Sequence, residues 1–128
     1  MKFKNDRPIY IQIEKFIREN ILKGKWGSDD RVPSIRELAV DMEVNPNTVM
    51  RAYSELQDQD IIYNKRGIGY FINENARKKV MQQSKKNFLQ KQLPQVFNQM
   101  ELLNINFNEL EEYYREYETK GEDNETIK

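Results

Sequence analysis

Residues 32–56 read VPSIRELAVDMEVNPNTVMRAYSEL, and the fold turns on how that stretch divides. Ser34-Ile35-Arg36-Glu37 fits the S-x-x-E capping box, in which the Ser side chain accepts from the amide three residues on and the Glu reaches back. A short helix opening there carries Ile35, Leu38, Ala39 and Met42 inward. Glu43-Val44-Asn45 is then a tight turn. Asn45 is a good N-cap and Pro46 suits the first helical position, so a second helix starts at once. With Val49 as reference and about 100° per residue, Ala52, Tyr53 and Leu56 lie within about 60° of it. Asn47, Arg51 and Ser54 fall near the opposite pole. The outward face near the start of this helix is therefore small, polar and basic: Asn47, Thr48 and Arg51. A recognition helix needs this arrangement, because its first turns meet base edges while its far side packs. Arg pairs with guanine and Asn with adenine in the major groove. The same face on one isolated helix would serve equally as an ordinary solvated surface.

The flanks narrow the choice. Upstream, Asp6-Arg7-Pro8 opens a helix with Pro8 in its first turn. Ile9, Ile13, Phe16, Ile17 and Ile21 form its apolar stripe. Gly24 and Gly27 flank Trp26 and end it, and Lys25 to Val32 reads as loop. Downstream, Ile61-Ile62-Tyr63 and Tyr70-Phe71-Ile72 are β-rich triplets around Asn64-Lys65-Arg66-Gly67-Ile68-Gly69, a hairpin with a basic tip. Helix, helix, helix, hairpin is the order of a winged helix-turn-helix. At the start of the second helix, amides together with Ser34 and Arg36 suit a phosphate.

From Asn75 the pattern is helical again. Val80, Phe88, Leu89, Leu93, Val96, Phe97, Met100 and Leu103 form an apolar seam, and Pro94 either kinks that helix or starts a new one. Asn106-Phe107-Asn108-Glu109 is another N-cap with Glu at N3, opening a helix with Leu110, Tyr113, Tyr114 and Tyr117. Beyond Gly121 the polar end is expected to fray. The chain thus divides into residues 1–75, a winged helix-turn-helix domain, and residues 76–128, a short helical tail. Mainly α with a small β-hairpin is the fold class.

Composition sets outer bounds. The 128 residues are 38% hydrophobic and 33% charged, with seven Tyr and six Phe, polar yet rich enough in aromatics to bury a core. There is no Cys and no His, which removes thiolate and imidazole catalysis and the common zinc sites. An enzyme, a metal site or a cofactor is not expected, and no Gly-rich phosphate loop of the G-x-x-x-x-G-K-[ST] type occurs. No apolar run nears the roughly 18 residues of a membrane span, so the chain reads as cytoplasmic. The 21 basic and 21 acidic residues cancel, and they cancel again over the first 75 residues. Attraction to DNA must then be local. Bases cluster at Arg77, Lys78, Lys79, Lys85, Lys86 and Lys91, and acids dominate after Glu101. Both read first as solvated helix faces, and the acids could also partner those bases across subunits.

The stretch VPSIRELAVDMEVNPNTVMRAYSELQDQDIIYNKRGIGYFI resembles the DNA-binding domain of GntR-family transcription regulators. The resemblance rests on Pro33-Ser34-x-Arg36-Glu37-Leu38-Ala39, on Thr48-Val49-x-Arg51-Ala52, and on a wing closing with Gly67-x-Gly69-aromatic-Phe71. Asn45-Pro46-Asn47-Thr48-Val49 with Arg51-Ala52-Tyr53 is similar in particular to the YtrA-type subfamily. The likeness runs from about Pro8 to Ile72. Two departures are mild: Ile61 stands where Leu is usual, and Asp60 replaces a common Gly and could strain its turn.

The resemblance implies a homodimeric repressor that binds a pseudo-palindromic operator, acting on an adjacent transporter operon. It implies a recognition helix from Asn45 to Gln59 in the major groove and a wing from Lys65 to Gly69 on the minor groove or backbone. Arg51 and Asn47 would contact bases, with Asn45 at the head of the same helix. Ser34, Arg36, Thr48 and Tyr53 would hold phosphates, although the helical position of Tyr53 faces inward. Lys65, Arg66 and Gly67 would bring the wing to DNA. Subfamily members dimerise through a short helical extension, and Val80, Phe88, Leu89, Leu93, Val96, Phe97 and Met100 are the matching interface here. About 55 residues after the wing are few for a roomy effector pocket, and a small-molecule effector stays open. A replication or partition winged helix, and a protein-interaction module, are the rival readings of the same pattern.

Overall fold

Three helices and a hairpin are built around one set of apolar side chains in a computed structural model that describes residues 7–127. Helix α1 spans Ile9–Leu22 with Pro8 at its N-cap. The Pro8 carbonyl accepts from the Ile11 and Gln12 amides at 3.2 and 3.3 Å, so the ring's fixed φ starts the helix and no amide is lost. Ile13, Ile17 and Ile21 are buried, whereas Ile9 is exposed, which shortens the stripe read from the sequence by one turn. Gly24 takes φ +77°, and the Asn20 carbonyl accepts from Lys25 and Trp26. That closes α1 as a left-handed C-terminal turn does.

Helix α2, Ile35–Met42, is capped as its sequence implies: the Glu37 amide donates to Ser34 Oγ at 3.0 Å. The Glu37 carboxylate lies 4.0 Å from Arg31 instead. Glu43 ends α2 in the left-handed region at φ +56°. Helix α3, Pro46–Asp58, follows after the Asn45 cap, whose Oδ1 accepts from the Asn47 amide at 2.8 Å. Val49, Ala52, Tyr53 and Leu56 are its buried members, as the helical period requires.

Strands β1 (Ile62–Lys65) and β2 (Gly69–Ile72) pair antiparallel, with Ile62 opposite Ile72 and Lys65 opposite Gly69. The hairpin has a third member. Asp29 and Val32 donate to the Ile72 and Tyr70 carbonyls, Ile72 donates back to Asp30, and Arg31 bridges Phe71. The segment read as loop thus lines the free edge of β2. Satisfying that edge's backbone groups is the physical reason; the GSDDRV sequence itself carries no strand pattern. Asp60 takes φ +59°, in the left-handed region that strains a residue with a side chain and costs glycine least.

Helix α4, Ala76–Asn87, begins with Ala76 and Val80 fully buried in the same core as Ile13, Val49 and Ile72. The chain separates into two units, one through Lys85 and one from Lys86. Val80 therefore belongs to the core of the first unit, not to a subunit interface. In a seam that looks continuous along the chain, the burial of Val80 is decided by the α1–α3 core it meets.

The second unit opens with a wide π-helical turn, Phe88–Gln92, followed by α5 (Leu93–Leu102) with Pro94 in its first turn. A proline without an N–H leaves a carbonyl one turn back unserved, and a widened turn absorbs the mismatch. Helix α6, Phe107–Ile127, is capped by Asn106 Oδ1 accepting from the Glu109 amide at 2.9 Å. It continues past Gly121 where fraying is expected; a single Gly in a helix costs only about 1 kcal/mol relative to Ala. Among the described residues, no helix is long and apolar enough to cross a membrane.

Candidate nucleic-acid interface

The start of α3 stands out from the first unit with its polar face uncovered. Asn47 and Arg51 are exposed, as are Asn45 and Ser54, and Thr48 is half-buried. Asn45 spends its carbonyl oxygen on the cap, so only its amide group remains to donate. Ser34 accepts the Glu37 amide through Oγ and keeps its own O–H as a donor. Arg36 is exposed one residue into α2. Those two residues sit at a helix N-terminus, where unpaired amides and the helix dipole favour an anion.

Beside them, the wing turns at Arg66-Gly67-Ile68. Gly67 takes φ +78°, a conformation that costs glycine nothing. Gly69 at φ +144° leaves room for the Arg31 side chain, whose Nε lies 3.0 Å from where a Cβ would stand. Lys65, Arg66 and Gly67 are all exposed. Lys65 is not loose: its Nζ sits 4.8 Å from the centroid of Phe71, which stacks on Tyr63 at 5.7 Å. Tyr63 donates to Asp29 Oδ1 at 2.7 Å, and that acceptor holds its phenol protonated above the ordinary range. Ile68, 61% exposed, is an apolar residue at the tip that the charge pattern did not single out.

Tyr53 does not belong to this face. It is fully buried, packs edge-to-face on Tyr70 at 5.0 Å, and donates its hydroxyl to the Pro33 carbonyl at 2.6 Å. Burial pushes its phenol far above the ordinary value. Its role is to tie α3 to the segment entering α2. The helical period placed it inward, and the phosphate role suggested by resemblance is corrected.

Arg51 has neighbours that the sequence reading left out. Its guanidinium carbon lies 3.8 Å from the centroid of the Tyr10 ring in α1, and its Nε is 3.9 Å from Glu55 Oε1. Glu55 in turn shares a hydrogen bond with Glu14, an acid on α1 only 4% exposed. Burial first, then that shared bond and the Glu55 charge, pushes the Glu14 carboxyl up to about 7; Arg18 and Arg51 pull the other way. Arg18 lies 3.6 Å from Glu14 and donates to Gln59 Oε1 at 2.6 Å. The Arg51–Glu55 and Glu14–Arg18 pairs are i,i+4 neighbours on their own helices. No local spacing announces the Tyr10–Arg51, Glu14–Glu55 and Arg18–Gln59 contacts, which join α1 to α3 and its C-cap.

The model for "Bacterial regulatory proteins, gntR family" matches residues 9–72. The chain belongs to the GntR family. A GntR-family relative, the "HTH-type transcriptional repressor YtrA" of Bacillus subtilis, is 37% identical over 113 residues, covering 88% of this chain and 86% of that protein. Among solved structures, a GntR family transcriptional regulator from Listeria monocytogenes superposes with a TM-score of 0.72 at 36% identity, over 89% of this chain and 98% of its own. The DNA-binding domain of AraR in complex with an operator matches 56% of this chain and 84% of its own, with a TM-score of 0.51 and 29% identity. This GntR-family chain is thus a winged helix-turn-helix DNA-binding transcription regulator of YtrA type. Its relatives are regulators, not enzymes.

Proposed function

We propose that two copies of this chain bind a pseudo-palindromic operator in the cytoplasm and repress an adjacent transporter operon. The observation that carries the reading is the uncovered N-terminal face of α3, with Asn47 and Arg51 exposed, together with the exposed Lys65 and Arg66 of the wing. Each copy sets α3 in a major groove, Arg51 and Asn47 reading bases. Ser34, Arg36 and Thr48 hold phosphates, and Lys65, Arg66 and Gly67 bring the wing to the minor groove or backbone.

The dimer is supported by the second unit's own surface. Phe88, Leu89, Val96 and Phe97 are 40–48% exposed, and Leu93 and Met100 are half-buried. Monomeric proteins rarely leave so many large apolar side chains of one small unit in water. Repression is supported by the similarity to the B. subtilis repressor over most of both chains. The test is selection of bound duplexes from a random library. Enrichment of two inverted half-sites whose centres lie about 34 Å apart, one helical turn, fits the proposal; a single unpaired site contradicts the dimer, and no enrichment contradicts sequence reading.

A further inference from the structure

The guanidinium of Arg51 is held on two sides before any DNA arrives. The Tyr10 ring covers one face at 3.8 Å, and Glu55 lies 3.9 Å from Nε, on the side nearest the helix. Those two contacts use a face and the inner edge. Neither contact engages the outer edge, which bears both terminal nitrogens, and the side chain is 63% exposed. That outer edge is the fork whose paired N–H groups match guanine O6 and N7.

We propose that Tyr10 and Glu55 are positioning residues that hold Arg51 with its fork presented for base readout, so that discrimination between sequences depends on them. This rests on the reading of α3 as the recognition helix. A long Arg side chain surrenders much rotamer freedom on docking, and a holder formed beforehand removes that cost from the binding step. The holder is anchored in the core. Glu55 is hydrogen-bonded to Glu14, Glu14 is buried on α1, and Arg18 pairs with Glu14 while donating to Gln59. The ring and the carboxylates therefore come from packed helices, which is where a precise site is best supported. Tyr10 reaches the recognition face from α1, an element outside the helix-turn-helix itself.

The experiment measures affinity of the full chain for a selected operator and for a scrambled duplex of equal length. Tyr10→Leu keeps an apolar side chain but removes the π face. Operator affinity should fall by about five- to thirtyfold, the range between an exposed contact of about 1 kcal/mol and a desolvated cation–π contact of about 2 kcal/mol. Scrambled-duplex affinity should hold within about twofold, since phosphate contacts are untouched. Tyr10→Phe should restore the parent value. Glu55→Gln, which keeps size and loses the charge, should give a smaller loss in the same direction. In an Arg51→Ala background Tyr10→Leu should change nothing further, a result that a mere packing defect would not give. Equal loss on both duplexes, an undiminished loss in the Arg51→Ala background, or tighter operator binding by Tyr10→Leu overturns the proposal. Parent-like discrimination by Tyr10→Leu, where Arg51→Ala has lost it, overturns the holder alone. Discrimination that survives Arg51→Ala overturns the reading of α3 and the holder with it.

Discussion

Tyr53→Phe separates a structural tyrosine from a phosphate contact. The change removes one oxygen from a fully buried side chain and keeps the ring packed on Tyr70. What is lost is the 2.6 Å bond to the Pro33 carbonyl. A net intramolecular hydrogen bond contributes about 1 kcal/mol, and a carbonyl left unpaired in the interior costs about 1 to 3 kcal/mol. Pro33 is only half-buried, so water reaches part of that carbonyl and the lower end applies. The expected loss of stability is about 1.5 kcal/mol. Urea unfolding reads it as a midpoint lowered by roughly 1 M or somewhat less at an ordinary slope. At low temperature, where the variant is folded, its affinity for operator and for scrambled DNA should match the parent within about twofold, as no phosphate contact is lost. An unchanged midpoint together with weakened binding at all sequences would refute the reasoning, since only a hydroxyl on DNA gives that pair of results.

Three further outcomes are expected. Glu14 titrates near 7 in the folded chain against an ordinary value of 4.5, so between those values the native state holds the extra proton and stability falls as pH rises. The parent should lose about 2 to 3 kcal/mol between pH 5 and pH 8 through this buried group; Glu14→Gln should flatten that slope in denaturant melts, and an unaltered slope contradicts the buried acid. Asp60→Gly should raise stability by about 0.5 to 1 kcal/mol by relieving the left-handed backbone, because the 3.9 Å pair with Lys79 that it gives up is solvent-exposed and contributes little; a lower melting temperature counts against strain there. Phe88→Asp or Leu89→Asp should yield monomers in sedimentation with the first unit still folded, and intact dimers would move the interface elsewhere.

Local chemistry made most of this fold legible. Ser34, Asn45 and Asn106 each announce a helix start, and each caps the amide expected of it. The period of α3 put Val49, Ala52, Tyr53 and Leu56 inside, and at Tyr53 it was a better guide than the motif. What could not be read is what depends on residues far apart in sequence. The Asp29–Val32 segment joins the hairpin through backbone groups alone, so its side chains carry no sign of it. Val80 looks like its neighbours in an apolar seam, yet the core formed by α1 and α3 takes it. Tyr10 and Glu14 lie on α1 as one aromatic and one acid among many; only the packing of α1 on α3 brings them to Arg51.

The most direct measurement of the central claim compares Arg51→Ala with the double variant Lys65→Ala, Arg66→Ala on operator and scrambled duplexes over a range of salt. Loss of one bidentate base contact costs about 1 to 3 kcal/mol, so Arg51→Ala should lose about fivefold to 150-fold of operator preference while binding scrambled DNA as the parent does. The wing variant should instead weaken both duplexes alike and make the salt slope shallower by about two. Operator preference retained by Arg51→Ala, with the wing variant's salt slope unchanged, would contradict the placement of α3 and the wing on DNA.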